Sequence, residues 1–374
     1  MASIRRRVLA TGFFVLSVLF PVKTFAATFS GIYTFGDSLS DPGNVFNASK
    51  QVNSKNPASP IIPPSPPYFN GRFSNGPNWV DYLSKDLKLN PTEFTSLPSG
   101  GNPAQGINFA FGGATTGTAL TTGIANTIDP SLPGLLDQVG AFTSLLPPAA
   151  KADPNALYIV WAGGNDYLPT TSPFKPFDKP DIPLANISTA VTTLAGVGAK
   201  NIMVVNLPDL GKTPLTLGTP LSQPLDALTE AHNAGLSQTL NILSQNLGSG
   251  VNLIPLDVDS LADQVRANPA QFGFTNVTDA CLPDIFATTS CPNPNEYLFW
   301  DTNHLTARGN ELVGELAFSA LTSKPSETVP EPSSEVAIFA FGVLGTVSVL
   351  KRKRHKANLV TQQHNLIVRA IASD

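Results

Sequence analysis

Compact apolar runs alternate with longer stretches of helical spacing along the middle of the chain. Residues 31–35, 107–111, 156–161, 201–206 and 251–256 are short and rich in β-branched, aromatic and leucine side chains, and read as strands. Several are apolar at consecutive positions, the pattern of parallel strands covered by helices on both faces. Between them, residues 78–87, 134–146, 184–194, 226–247 and 306–321 repeat Val, Leu and Ala at helical intervals, with Leu305, Leu312, Leu316 and Phe318 as core candidates at the last. Strand-helix alternation predicts an α/β fold built on a doubly wound parallel sheet of about five strands, with sites at the carboxyl ends of strands. Residues 47–75, with Pro63-Pro64-Ser65-Pro66-Pro67, and residues 271–294 fit neither period, and are expected to be surface loops that shape access to a site.

The two ends follow a different pattern. Arg5, Arg6 and Arg7 precede the apolar residues 8–20, and Thr24-Phe25-Ala26 offers small residues before a cleavage point, so residues 1–26 read as a secretory signal cut after Ala26. Near the other end a Pro-rich linker, residues 325–335, leads into the apolar residues 336–350 and then Lys351-Arg352-Lys353-Arg354-His355-Lys356. As a helix the apolar stretch rises ~22 Å, short of the ~30 Å hydrocarbon core. Val329-Pro330-Glu331-Pro332-Ser333 before that run closely resembles the PEP-CTERM sorting signal of exported Gram-negative proteins. The resemblance implies the export machinery and an exosortase-type enzyme as processing partners, with transient membrane contact through the C-terminal segment. The extension at residues 357–374 departs from that pattern, and an ordinary membrane anchor is the alternative. The body between, residues 27–324, is expected to be one domain.

Charge follows the same division. The formal net charge is −4, with +4 on residues 1–26 and +3 on residues 331–374, which leaves −11 on the body between them. So acidic a body argues against nucleic acid as a partner. Only 13% of residues are charged and 34 are proline, which excludes a coiled coil or a helical array. Cys281 and Cys291 are the only cysteines; an exported protein would allow a disulfide between them, and two cysteines alone make no structural zinc site.

Four blocks carry candidate chemistry. Gly36-Asp37-Ser38 follows the first strand, where a serine can raise its hydroxyl above the strand end and aim its own N–H at an oxyanion, or simply cap a helix. Asn108-Phe109-Ala110-Phe111-Gly112-Gly113-Ala114 ends the second strand in paired glycines that permit close backbone approach. Trp161-Ala162-Gly163-Gly164-Asn165-Asp166 ends the third, with an amide that can donate a hydrogen bond. Asp301-Thr302-Asn303-His304 precedes the last helix, and a carboxylate three residues before a histidine can hold Nδ1–H and leave Nε2 for a nucleophile. The other histidines are less suited: His232 falls in a polar helix, and His355 and His364 lie in the tail.

In order and content these blocks resemble the GDSL family of SGNH hydrolases over about residues 31–321. The string Phe35-Gly36-Asp37-Ser38-Leu39-Ser40-Asp41-Pro42-Gly43-Asn44 is close to its first signature, apart from Pro42 where Thr is frequent, and Asn206-Leu207-Pro208-Asp209-Leu210-Gly211 is similar to a segment of bacterial members. The resemblance implies a three-layer, flavodoxin-like α/β/α fold and an exported carboxylic ester hydrolase of the cell envelope or extracellular matrix, needing no cofactor or metal. It implies Ser38 as nucleophile, His304 as general base and then acid, Asp301 as the orienter of His304, and the Ser38 N–H, Gly113 N–H and Asn165 side chain as the oxyanion hole. Asp37 and Asp166 become structural neighbours. Substrates in reach are lipid esters, small acyl esters and, given the sorting tail, acetylated glycans. A surface binding protein that keeps the fold without the chemistry is the non-enzymatic alternative. Residues 47–75 and 115–147 are candidates for an acyl pocket, or for plain core.

Overall fold

The computed structural model describes residues 28–118, 132–170 and 174–323. The expected secretory signal, the linker, the apolar segment, the basic cluster and the tail lie outside the described residues.

Alternating burial along the strands builds the core. In β4 (Leu157–Trp161), Leu157, Ile159 and Trp161 face one layer and Tyr158 and Val160 the other, all buried. The same alternation holds in β1 (Ile32–Gly36), β5 (Asn201–Val205) and β6 (Asn252–Leu256), so each face needs a helical cover. Two short strands, β2 (Thr92–Glu93) and β3 (Ile107–Asn108), complete a six-stranded sheet in the order β2-β3-β1-β4-β5-β6. Every pairing in it is parallel. β2 is the strand that the apolar pattern does not announce: two half-buried residues, Thr92 and Glu93, owe their place to the register with Ile107 and Asn108.

Helices α1 (Asn44–Lys55) and α2 (Trp79–Leu87) precede β2, and α3 (Leu135–Leu145) and α4 (Asp181–Gly196) flank β4. Then come α5 (Ser222–Asn246), α6 (Val258–Ala267) and α7 (Ala307–Thr322). Leu135, Val139 and Phe142 of α3 pack with α4 and α5 on the Tyr158 face, whereas Trp79, Val80 and Leu83 of α2 pack with Val313 and Ala317 of α7 on the Trp161 face. The result is a three-layer α/β/α architecture around a parallel sheet.

Two expected loops are partly regular. Residues 47–55, expected to open a loop, belong to α1, which forms because the buried Asp41 carboxylate accepts the N–H groups of Gly43, Asn44 and Val45 and supplies the acceptors that a helix start needs. Its apolar stripe of Val45, Ala48 and Val52 is thin among polar neighbours. Within residues 271–294, β7 (Asn276–Ala280) pairs in parallel with β8 (Tyr297–Phe299), and Cys281 and Cys291 are joined in a disulfide with Cα atoms 4.8 Å apart. Helix α6 is also beyond the apolar pattern; Asp257 caps it by accepting from the Ser260 N–H at 3.0 Å.

The carboxyl end of β1 is packed without slack. A Cβ on Gly36 would run into the Trp161 carbonyl of β4, and the buried Gln138 of α3 exchanges two hydrogen bonds with the Gly36 backbone, at 2.8 and 2.9 Å. Gly36→Ala is expected to lower stability by about 2–3 kcal/mol through this overlap; a urea midpoint equal to the parent's would show that the strand end is looser than the packing implies.

Candidate active site

The first turn after β1 lifts Ser38 out of the sheet. The Asp37 carbonyl accepts from the Ser40 N–H at 3.0 Å and its carboxylate accepts from the Leu39 N–H at 3.0 Å, so residues 37–40 close on themselves with Ser38 half-buried at the lip. Asp41 then ties this turn to the next strand end: its carboxylate accepts from the Gly112 N–H at 2.8 Å as well as from the start of α1. Asn108 adds a second tie, donating to the Ser40 carbonyl at 2.8 Å, and Asn44 a third, donating to the carbonyls of Asn108 and Ala110, each at 2.9 Å.

From the opposite side β8 leads into Asp301-Thr302-Asn303-His304. The Asp301 carboxylate accepts from the backbone N–H groups of Asn303 and His304, both at 2.9 Å, which coils the segment and turns the imidazole back toward the carboxylate. His304 Nδ1 lies 2.8 and 2.7 Å from the two Asp301 oxygens, and Nε2 lies 2.8 Å from Ser38 Oγ. Two segments 266 residues apart in sequence therefore form one hydrogen-bonded line from carboxylate to hydroxyl. The Phe73 ring stacks beside the imidazole, with centroids 5.0 Å apart.

Electrostatics act in concert with that geometry. Burial disfavours charge on Asp301, yet His304, the Tyr68 hydroxyl and the backbone N–H groups outweigh it and hold the carboxyl below its ordinary value. Burial also disfavours the His304 cation, and the facing Asp301, aided by Asp37, outweighs it, so the imidazole is more basic than usual. The Nδ1–Asp301 bond favours the tautomer with a bare Nε2, the form able to accept a proton from Ser38.

Gly113 and Asn165 line the same cleft as Ser38 and His304. The Gly112 N–H donates to Asp41, and the next residue, Gly113, turns the chain at φ +80°. Asn165 sits on a short 3-10 turn after β4, its side-chain amide 3.1 Å from the Ala114 carbonyl, which joins the third block to the second. Beneath it the buried Asp166 accepts from the Thr116 hydroxyl and N–H at 2.7 and 2.9 Å. The structure thus brings Ser38, Gly113, Asn165, Asp301 and His304 to one place at the carboxyl ends of β1, β3, β4 and β8, and keeps Cys281 and Cys291 in the neighbouring loop.

The cleft encloses about 430 Å³. Away from Ser38 its wall is mainly apolar, with Leu207, Val258, Leu261, Val265, Leu298 and Leu312, to which Asp209, Thr213, Arg266 and Asp284 add polar groups. Five of these six apolar residues come from α6, β8 and α7, and none of the described residues of 115–147 lines the cleft: Leu132, Leu135, Val139 and Phe142 are buried in the core. Phe73 is the contribution of residues 47–75.

This arrangement has known counterparts. The sequence model of the GDSL-like lipase/acylhydrolase family matches residues 32–317, and the chain belongs to that family. The PEP-CTERM protein-sorting motif matches residues 328–353. Among similar proteins are an uncharacterized protein in a trpE-trpG intergenic region of Pseudomonas putida, 33% identical over 80% of this chain and 50% of its own length, and the esterase EstA of Pseudomonas aeruginosa, 29% identical over 79% and 47%. A phosphatidylcholine-sterol acyltransferase of Aeromonas hydrophila is 28% identical over 80% of this chain and 82% of its own length. The chain spans about half the length of the first two.

Several supporting groups escape a reading of the sequence. Tyr68, in the stretch expected to be a surface loop, is buried and donates to Asp301 Oδ2 at 2.7 Å. His232, expected on a polar helix, is instead fully buried behind the Asn165 turn, 2.7 Å from the Tyr167 hydroxyl, and burial pushes its pKa down to about 4. The available signals were weak: Asp41 and Asn44 belong to the quoted signature string, whereas one tyrosine among prolines carries no period at all.

Burial raises the pKa of Asp37 and Asp41 to about 6 and of Asp166 to about 7. A carboxyl raised on folding contributes stability fully present below its ordinary value of 3.8 and lost as pH rises through 6 to 7. The raised His304 acts in the same sense, and the depressed His232 opposes it only below its ordinary value of 6.5. The thermal midpoint of the domain is therefore expected to fall between pH 6 and pH 8; differential scanning calorimetry that finds it level or rising would contradict this balance.

Proposed function

We propose that the protein is an exported ester hydrolase acting through Ser38, His304 and Asp301. The observation that carries the reading is the unbroken line from Asp301 through both imidazole nitrogens to the Ser38 hydroxyl, 2.7 and 2.8 Å at its two joints. In this reading His304 Nε2 accepts the Ser38 proton as Oγ attacks the ester carbonyl carbon. The tetrahedral oxyanion is met by the Ser38 N–H, the Gly113 N–H and the Asn165 amide. The His304 cation, held by Asp301, returns its proton to the leaving alcohol, and an acyl-Ser38 remains. Water, activated by the same imidazole, attacks the acyl carbon and releases the acid and the free serine. Every step uses side-chain and backbone groups of the chain itself.

The apolar wall supports a fatty or other extended acyl group over acetyl. An acetyl group needs little more than the space beside Ser38, whereas this cleft continues along leucine and valine side chains of α6 and α7. The intact Ser38–His304 contact weighs against a purely binding role. We read residues 1–26 as a signal removed after Ala26, residues 27–324 as the hydrolase domain, and the sorting segment as a substrate for an exosortase-type enzyme with transient membrane contact. That reading places the protein at the cell envelope or outside the cell.

Ser38→Ala is expected to abolish both hydrolysis of p-nitrophenyl esters and fluorophosphonate labelling while leaving the thermal midpoint near the parent's; labelling that survives at another residue would remove Ser38 from the mechanism. Asn165→Ala is expected to lower kcat by roughly 100- to 1000-fold with a smaller change in KM. The acidic limb of kcat/KM is expected above the ordinary histidine value, because Asp301 raises the basicity of His304 and protonated His304 cannot act as a base. A limb below that value would separate the titrating base from His304.

A further inference from the structure

We propose that Tyr68 is a positioning residue of the triad, its hydroxyl fixing the Asp301 carboxylate and moderating the charge which that carboxylate presents to His304. The inference rests on the functional reading above. The Asn303 N–H, the His304 N–H and His304 Nδ1 all belong to the segment that Asp301 itself begins. The backbone of that segment is tied outside it, the Thr302 carbonyl accepting from the Leu215 N–H at 3.0 Å, but these three donors orient the carboxylate only relative to its own segment. Tyr68 donates at 2.7 Å from 233 residues away and so anchors the carboxylate to a different part of the fold.

Tyr68 is itself firmly held. It is 2% exposed, its N–H donates to the Pro64 carbonyl at 3.1 Å, and its own carbonyl accepts from the Ser65 hydroxyl at 2.5 Å. Its ring meets Trp300 edge-on at 6.0 Å and Phe73 at 6.4 Å. Cys281, Leu282 and Trp300 share its buried cluster, so the disulfide-closed loop backs the tyrosine while Phe73 joins it to the imidazole. Burial, the adjoining Asp301 and the more distant Asp284 all disfavour the phenolate, so the hydroxyl stays protonated and donates.

The consequence for His304 has a definite sign. A donor at Oδ2 takes up part of the carboxylate's charge. Removing it leaves Asp301 a stronger partner for the imidazolium, so His304 becomes more basic and less often neutral at a given pH. A stronger donor does the reverse. The other charged groups facing this line are Asp37, which acts on His304, and Asp284, which acts on Tyr68; neither is altered by the change.

Tyr68→Phe keeps the ring and removes only the hydroxyl, and 3-fluorotyrosine at position 68 keeps the bond with a more acidic donor. Two readouts apply to both proteins: the pH dependence of kcat/KM on a soluble ester, and the His304 imidazole titration followed by NMR without substrate. Tyr68→Phe is expected to lower the kcat/KM plateau roughly 10-fold and move both the acidic limb and the His304 titration to higher pH. The fluorinated protein is expected to move both to lower pH. A tyrosine that merely fills space would leave the titration unmoved in both proteins, and that result, or shifts of the same sign in the two, would overturn the proposal. Absent turnover in the parent protein would count against the ester-hydrolase reading alone, because the NMR titration still reports on Tyr68.

Discussion

The carboxyl end of β1 is the constraint on which the rest of the site depends. It must pass so close to β4 that only glycine fits at position 36, then turn at once to lift Ser38 clear of the sheet. Close passage strips water from the strand end, so its backbone groups need protein partners, and Gln138 of α3 supplies both. Asp41 does the same for the turn and for α1, and through the Gly112 N–H it sets the position of the neighbouring glycine turn. Ser38 and the candidate oxyanion donors are thus placed by one network of buried amides and carboxylates, rather than by separate loops. The cost of that network is electrostatic: Asp37, Asp41 and Asp166 are held where charge is disfavoured, and their pKa values rise accordingly.

The second half of the site arrives on a different support. Asp301 and His304 sit on a short coil between β8 and α7, with no strand of the main sheet to fix them. Their rigidity comes from hydrogen bonds inside the coil and from an aromatic and disulfide-backed cluster beside it. The apolar cleft lies where the two supports meet, walled by α6 and α7 on the Trp161 side of the sheet. Polar groups and an apolar wall are therefore separated by a few residues: Leu39 follows Ser38, and Leu305 follows His304.

Much of this was legible along the chain. Five of the six main-sheet strands follow from consecutive apolar residues, because a strand buried on both faces cannot hide its composition. The helices from α2 onward that cover the sheet show helical spacing, with α6 the exception. Ser38, Asp301, His304, Gly113 and Asn165 were legible for another reason: each lies in a compact block of small, polar or glycine residues directly after a strand or before a helix. β2 and α1 were not legible in the same way, since the partners that stabilise them, Ile107 and Asn108 for the one and the Asp41 carboxylate for the other, lie outside the element itself. Residues 47–75 and 115–147 could line a pocket or pack as core, and apolar content alone does not distinguish the two; where described, Leu132, Leu135, Val139 and Phe142 pack as core.

What the sequence determined by itself is local: which segments become strands or helices, and which short blocks carry a hydroxyl, an imidazole, a carboxylate or a glycine turn. What only the tertiary structure decided is every relation between groups distant along the chain. Ser38 meets His304 across 266 residues and Tyr68 meets Asp301 across 233, and no period or spacing encodes those distances. Burial decided the raised pKa of Asp166 and the seclusion of His232, which depend on which surfaces the packed layers cover, and the approach of Asp301 decided the basicity of His304. Local propensity acts over a few residues, whereas hydrogen bonding and desolvation act over whatever the fold brings within a few ångströms.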